Sequence, residues 1–242
     1  AYRLANSAFD EVVGIFYGQK YFGAKAKKDV EDMIRKMLKV YEERIKSNTW
    51  LSAETKKKAV VKLKALVLKI GYPDKIEEIF DLLQVDPEKS LYENEVAMST
   101  VRTKYMLAKL TKLVDRSVWL MPGNLNNACY DPQRNDLTFP AGILQAPFYD
   151  INQSRGANYG GIGATIGHEV SHAFDNSGAK FDERGNMNNW WTDADFAEFN
   201  KRVGQMVDIF DGLQYGPAKV NGKQVVGENI ADLAGLACAV QT

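Results

Sequence analysis

Histidine is scarce in this 242-residue chain, with only two copies. Cysteine is as scarce. Cys129 and Cys238 are too few for a disulfide framework and form no C-x-x-C pair, which suits a reducing compartment and predicts two buried thiols. Net charge is missing too: 31 Lys and Arg balance 31 Asp and Glu. No overall field therefore draws the chain to nucleic acid or to an anionic membrane, and Lys56-Lys57-Lys58 reads as a solvated helix face. No apolar run is long enough to span a bilayer. The opening AYRLANSAF lacks an initiator Met, and the closing GLACAVQT is an apolar helical pattern without a stop signal. Both lead us to expect a piece of a longer protein.

What is present is 45% apolar sequence, enough for a packed core. The first half, residues 1–118, reads as a helical segment. Val30, Met33, Ile34, Met37, Tyr41 and Ile45 recur at three- and four-residue steps and form one stripe. Ser52 caps a second helix, along which Ala59, Leu63, Leu66, Val67 and Ile70 repeat the pattern. Asp74 with Glu77 resembles a capping box, and Asp86-Pro87 a helix start; a long helix over roughly 90–116 follows. From about 119 onwards the texture changes. Asn127 to Tyr130 and Leu137 to Phe139 read as short strands joined by the DPQRND turn. Gly160-Gly161 marks a loop before a helix carrying Ile162, Thr165, Ile166 and both histidines, with Gly178 as its stop. Thr192 with Asp195 caps another helix, and GENIADLAGLACAV is the last.

Both histidines fall in GHEVSH, four residues apart, with a glutamate after the first. On a helix, positions i and i+4 share a face, so the imidazoles of His168 and His172 can converge on one ion. Glu169 lies one step round, near enough to take a proton from a water acidified by a metal without being a ligand. Chance placement of two histidines at this offset with Glu following has a probability of about one in two thousand. A buried helix carrying these three groups needs partners for them, and a metal supplies one. Catalytic zinc usually takes three protein ligands, and no third histidine exists. Glu228 in GENIAD is the best candidate, with Asp232 one turn on, where it could accept the N–H of a ligating histidine. Spacing alone leaves an ordinary exposed helical pair as an equal reading of these two. Cys238, inside an apolar run, is the poorer ligand.

NNACY, FPAGILQAPFY, NYGGIGATIGHEVSHAFD, WWT and GENIADLAGL, taken in this order, resemble the neprilysin family of zinc metallopeptidases; WLSAETKKKAVVKL and IGYPD do so in the helical half. The resemblance covers nearly the whole chain, and the low cysteine content is most similar to the family's bacterial oligopeptidases of the oligopeptidase O type. It implies a predominantly helical α+β fold, a helical scaffold over 1–118 followed by a thermolysin-like (gluzincin) zinc-peptidase core over 119–242. One Zn2+ per chain would be held by His168, His172 and Glu228. Glu169 would be the base, and Asp232 the acid that orients a ligating histidine. Asn127 and Ala128 would hydrogen-bond the substrate backbone from an edge strand. Ile143 and Phe148, with Ala164 and Thr165, would line the pocket for the side chain after the cleaved bond. The implied substrates are oligopeptides cut on the amino side of large apolar residues, and the implied location is a bacterial cytoplasm, with a secreted or membrane-anchored parent as the alternative. Two departures stand out. Cys129 occupies a position that is aromatic in the family, and the family continues beyond GENIAD with groups that stabilise the transition state. A zinc-containing, peptide-binding piece without turnover is therefore the alternative function.

Overall fold

The computed structural model describes residues 8–242. It is predominantly helical with a small mixed sheet. Among the described residues, the α-helices in chain order are α1 Asp10–Tyr17, α2 Gly23–Ser47, α3 Ala53–Lys64, α4 Ile79–Leu82, α5 Leu91–Lys109, α6 Arg155–Asn158, α7 Ala164–His172, α8 Asp193–Phe210 and α9 Gly222–Gln241. Strands β1 Val67–Gly71, β2 Cys129–Asp131 and β3 Asp136–Pro140 form the sheet in the order β1-β3-β2; β4 Gln214–Tyr215 and β5 Ala218–Lys219 make a separate hairpin. No helix among the described residues is long and apolar enough to cross a membrane.

The stripe on α2 is buried as its spacing requires: Val30, Met33, Ile34 and Met37 are at most 1% exposed. At about 1.5–3 kcal/mol for each fully buried side chain, this face anchors the fold. It packs with Leu137 and Phe139 of β3, Ile166 and Val170 of α7, and Cys238 of α9. Residues from both sides of position 118 thus build one core. Ser52 accepts from the Thr55 N–H and Thr192 from the Asp195 N–H, two of the caps the sequence predicts.

Several expected elements differ. The segment carrying Leu66, Val67 and Ile70 is not the end of α3 but leads into strand β1, so 1–118 is not wholly helical. A short apolar run suits either period; here parallel pairing with β3 in the register Val67↔Asp136 to Gly71↔Pro140 decides, and Gly71 at φ +76 ends the strand. Asp74 caps nothing: it ion-pairs with Lys27 at 2.7 Å, and α4 starts at Ile79 without a side-chain cap. Asp86 accepts from the Glu88 N–H in a turn, and the helix begins instead at the capping box of Ser90 and Glu93 and stops at Lys109. Gly160-Gly161 is no loop but part of a π-helical turn, Tyr159–Gly163, continuous with α7. A Cβ on Gly161 would sit 2.4 Å from the Phe148 carbonyl, so glycine there serves a close approach. Gly178 lies beyond the end of α7, in a short 3-10 turn. Cys238 is buried as expected, but Cys129 is only half-buried.

Asp195 ties the first half to the second. Its carboxylate accepts from the backbone N–H and hydroxyl of Ser52. Burial alone would raise this carboxyl, but hydrogen bonds from Ser52, Thr55 and Thr192 outweigh it and hold it at about 2. An Asp held below its unfolded value near 3.9 stabilises the fold above about pH 4, and that contribution is lost as pH falls through about 2. Asp195→Asn should flatten the acid limb. Chemical denaturation between pH 2 and 5 is expected to give a shallower dependence of stability on pH than wild type, and an unchanged slope would refute the link.

Candidate metal centre

The α7 helix enters through the π-helical turn with its apolar side, Ile166 and Val170, sealed in the core. That burial fixes its rotation and turns His168 and His172 toward a cavity shared with Asn127, Ala128, Tyr130 and Glu228. On the core side, the Tyr41 hydroxyl donates to the Gly167 carbonyl at 2.8 Å and is hydrogen-bonded to the Ser171 hydroxyl. The α9 helix crosses α7 at a contact between two glycines: a Cβ on Gly167 would meet the Gly235 carbonyl oxygen at 2.5 Å, and one on Gly235 the His168 nitrogen at 2.3 Å. The close crossing brings Glu228 and Asp232 of α9 over the histidines.

The Nε2 atoms of His168 and His172 lie 2.9 Å apart, and Glu228 Oε2 is 3.2 Å from the first and 3.7 Å from the second. The opposite ring nitrogens are both taken. His168 Nδ1 is 2.7 Å from Asp232 Oδ1, and His172 Nδ1 is 2.7 Å from Asp175 Oδ2. A carboxylate can only accept, so each ring offers its Nδ1 proton outward and turns Nε2 inward. With Nε2 unprotonated on both rings, the two nitrogens and the Glu228 oxygen are three acceptors facing one another, an arrangement a cation satisfies. Tetrahedral zinc ligands at about 2.0–2.1 Å from the ion stand about 3.3 Å from one another, a value that the three separations bracket. Among the described residues, these three have ligand atoms clustered closely enough to hold a metal ion, all within 4.8 Å of one another.

Glu169 is not in that cluster. It is 7% exposed, and its carboxylate accepts from the Tyr130 N–H of β2. Burial raises its carboxyl above the ordinary range, against the lowering pull of His172, His168 and the Tyr130 N–H. Burial pulls the His172 imidazole down, but the hydrogen bond and charge of Asp175 outweigh it and leave it raised. Cys129 borders the same cavity, its thiol pushed up to about 11 by burial first and by the Glu169 charge second. It is protonated at neutral pH.

Asn127 and Ala128 run directly into β2, an edge strand, and both line the cavity. The Ala128 N–H is engaged by Asn127 Oδ1 at 3.0 Å. Ile143 and Phe148 are not among the lining residues: Ile143 packs against the main core, while Phe148 is half exposed, with its carbonyl accepting from Ile162. Asp175, three residues after His172, is the site residue that helical spacing does not signal: it lies beyond the end of α7, in the turn that follows.

Models described as peptidase family M13 match residues 1–73 and 127–242. The chain belongs to peptidase family M13, the neprilysin family. Among its M13 relatives, the neutral endopeptidase of Lactobacillus helveticus is 87% identical over 241 residues, which is all of this chain and 37% of that protein. The crystal structure of PEPO from Lactobacillus rhamnosis aligns with a TM-score of 0.95 and 48% identity, over 99% of this chain and 38% of that one. The zinc metalloprotease of Mycobacterium tuberculosis in complex with inhibitor aligns at 0.88 and 37% identity, over 99% of this chain and 37% of that one. The chain therefore spans well under half the length of these M13 relatives.

Proposed function

We propose that this chain carries the zinc site of a metalloendopeptidase that hydrolyses oligopeptides on the amino side of large apolar residues. The observation that carries the reading is the convergence of His168 Nε2, His172 Nε2 and Glu228 Oε2, with both Nδ1 atoms held by carboxylates. Zinc bound by these three residues, one ion per chain, would supply a Lewis acid that acidifies water and polarises a carbonyl. Asp232 and Asp175 fix the tautomer and tilt of the two rings and raise their basicity. Glu169, buried beside the ligands but not among them, takes a proton from the attacking water and passes it to the leaving amine. Asn127 and Ala128 lead into the edge strand β2 beside the same cavity, where an extended peptide would add as a further strand.

The cavity lining is mostly polar. The proposed preference for large apolar side chains, and the roles of Ile143 and Phe148 in it, have their support in family resemblance. Groups in the remaining length of the relatives would complete the site, so a piece that binds zinc and peptide without turnover is the reading to set against full activity.

Glu228→Gln should lower zinc affinity tenfold or more, comparable to loss of other groups that tune a zinc site. Chelator competition on the purified protein measures this directly. Unchanged affinity would remove Glu228 from the ligand set. Zinc-dependent cleavage of a fluorogenic oligopeptide separates the endopeptidase from a binding piece.

A further inference from the structure

We infer that Lys62, on α3 in the helical half, is a positioning residue for the metal ligand His172; the inference rests on the zinc site proposed above. Lys62 is 1% exposed, and its Nζ donates to three backbone carbonyls: Ala173 at 2.7 Å, Gly178 at 2.6 Å and Phe181 at 2.7 Å. An ammonium has three protons, and all three are used on the segment that follows α7. The Ala173 carbonyl belongs to the C-terminal end of that helix, where carbonyls lack helical partners and partial negative charge collects. The other two follow the turn containing Asp175.

That turn is what holds His172. Asp175 Oδ1 accepts from the Ser177 N–H at 2.7 Å and the Gly178 N–H at 2.6 Å, which leaves Oδ2 for His172 Nδ1. The turn folds back so tightly that a Cβ on Gly178 would sit 1.8 Å from the His172 carbonyl oxygen. Gly178 is therefore gripped from both sides, its carbonyl by Lys62 and its N–H by Asp175. An unbroken chain of contacts runs from Lys62 through Gly178 and Asp175 to the metal-facing ring.

Lys62 lies between Ala59 and Leu63 on the buried side of α3, where an apolar residue would pack without burying a charge. Burying an ammonium is costly, and three aromatic rings, Tyr130, Phe174 and Trp190, offset part of the cost from 5.8 to 5.9 Å. What the charge provides in return is a fixed turn behind His172.

The test is zinc affinity by chelator competition in the full chain, for wild type, Lys62→Met, Asp175→Asn, the double variant and Lys69→Met. Lys69 is a second buried lysine, 3% exposed and paired with Asp136 in the sheet. Lys62→Met is expected to weaken zinc binding about 10–100-fold. The double variant should bind within about twofold of Asp175→Asn alone, because both changes act through one contact chain. Lys69→Met should unfold more easily yet bind zinc within about twofold of wild type, since neither Lys69 nor its partners Asp136 and Val118 line the cavity of the ligands. Wild-type affinity in Lys62→Met, additive losses in the double variant, or an equal loss in Lys69→Met would each overturn the assignment. If Lys62→Met does not fold, Lys62→Gln, whose amide keeps part of the carbonyl contacts, should still bind zinc more weakly than wild type; wild-type affinity there also overturns it. His168→Ala separates the two levels: zinc binding that survives it refutes the zinc site itself rather than the role of Lys62.

Discussion

In the intact endopeptidase proposed above, replacing Glu169 with Gln is expected to cut peptide hydrolysis by roughly 10²–10⁴-fold while zinc content stays at the wild-type level. The side chain is 7% exposed and nearly isosteric with Gln, so the replacement keeps its volume and can still accept from the Tyr130 N–H through its amide oxygen. What disappears is the ability to take up a proton. Zinc should be unaffected because the converging ligand atoms belong to His168, His172 and Glu228. Turnover of a fluorogenic oligopeptide, measured beside metal analysis of the same sample, checks both halves. Near-normal turnover would assign the base elsewhere; loss of zinc would make Glu169 a structural support of the ligands.

The part of this centre that was legible in sequence is the part carried by single-helix spacing. His168, Glu169 and His172 lie within one turn and a half, so helical periodicity alone sets their relative positions. The α2 stripe was legible for the same reason. Groups that meet through tertiary packing were not. Spacing alone leaves Glu228 and Asp232 evenly poised between a ligand with its orienting acid and an ordinary exposed pair, and exposure does not decide it: their side chains are 66% and 75% exposed. Only the crossing of α9 over α7 distinguishes them. Lys62 sits 111 residues from the Ala173 carbonyl it binds, and no local pattern reports that contact. Strand β1 is not legible locally, because Leu66, Val67 and Ile70 fit a helical period as well as a strand, and the partner that decides, β3, lies about 70 residues on. Asp86 and Asp74 offered plausible caps but lost to Ser90 with Glu93 and to an ion pair with Lys27.

Gly235→Ala should separate that crossing from its neighbours. The added Cβ would fall 2.3 Å from the His168 nitrogen and 2.6 Å from the Gly167 carbonyl carbon, both backbone atoms that cannot rotate away. Helix α9 must therefore shift outward. Overpacking of this kind costs about 1–3 kcal/mol. The shift also lengthens the reach from Glu228 to His168 Nε2 and from Asp232 to His168 Nδ1, now 3.2 and 2.7 Å, so the variant is expected to lose zinc affinity by about tenfold or more in addition to stability. Gly204 in α8 is the matched control, because a Cβ there meets nothing within 4 Å. Gly204→Ala should stabilise the protein by about 0.5–1 kcal/mol through better helix propensity and leave zinc binding alone. Denaturation midpoints and chelator competition on the two variants give opposite signs in stability and a difference in metal affinity. If Gly235→Ala binds zinc as wild type does, the glycine contact sets packing only, and Glu228 reaches the histidines by side-chain flexibility rather than by the closeness of the two helices.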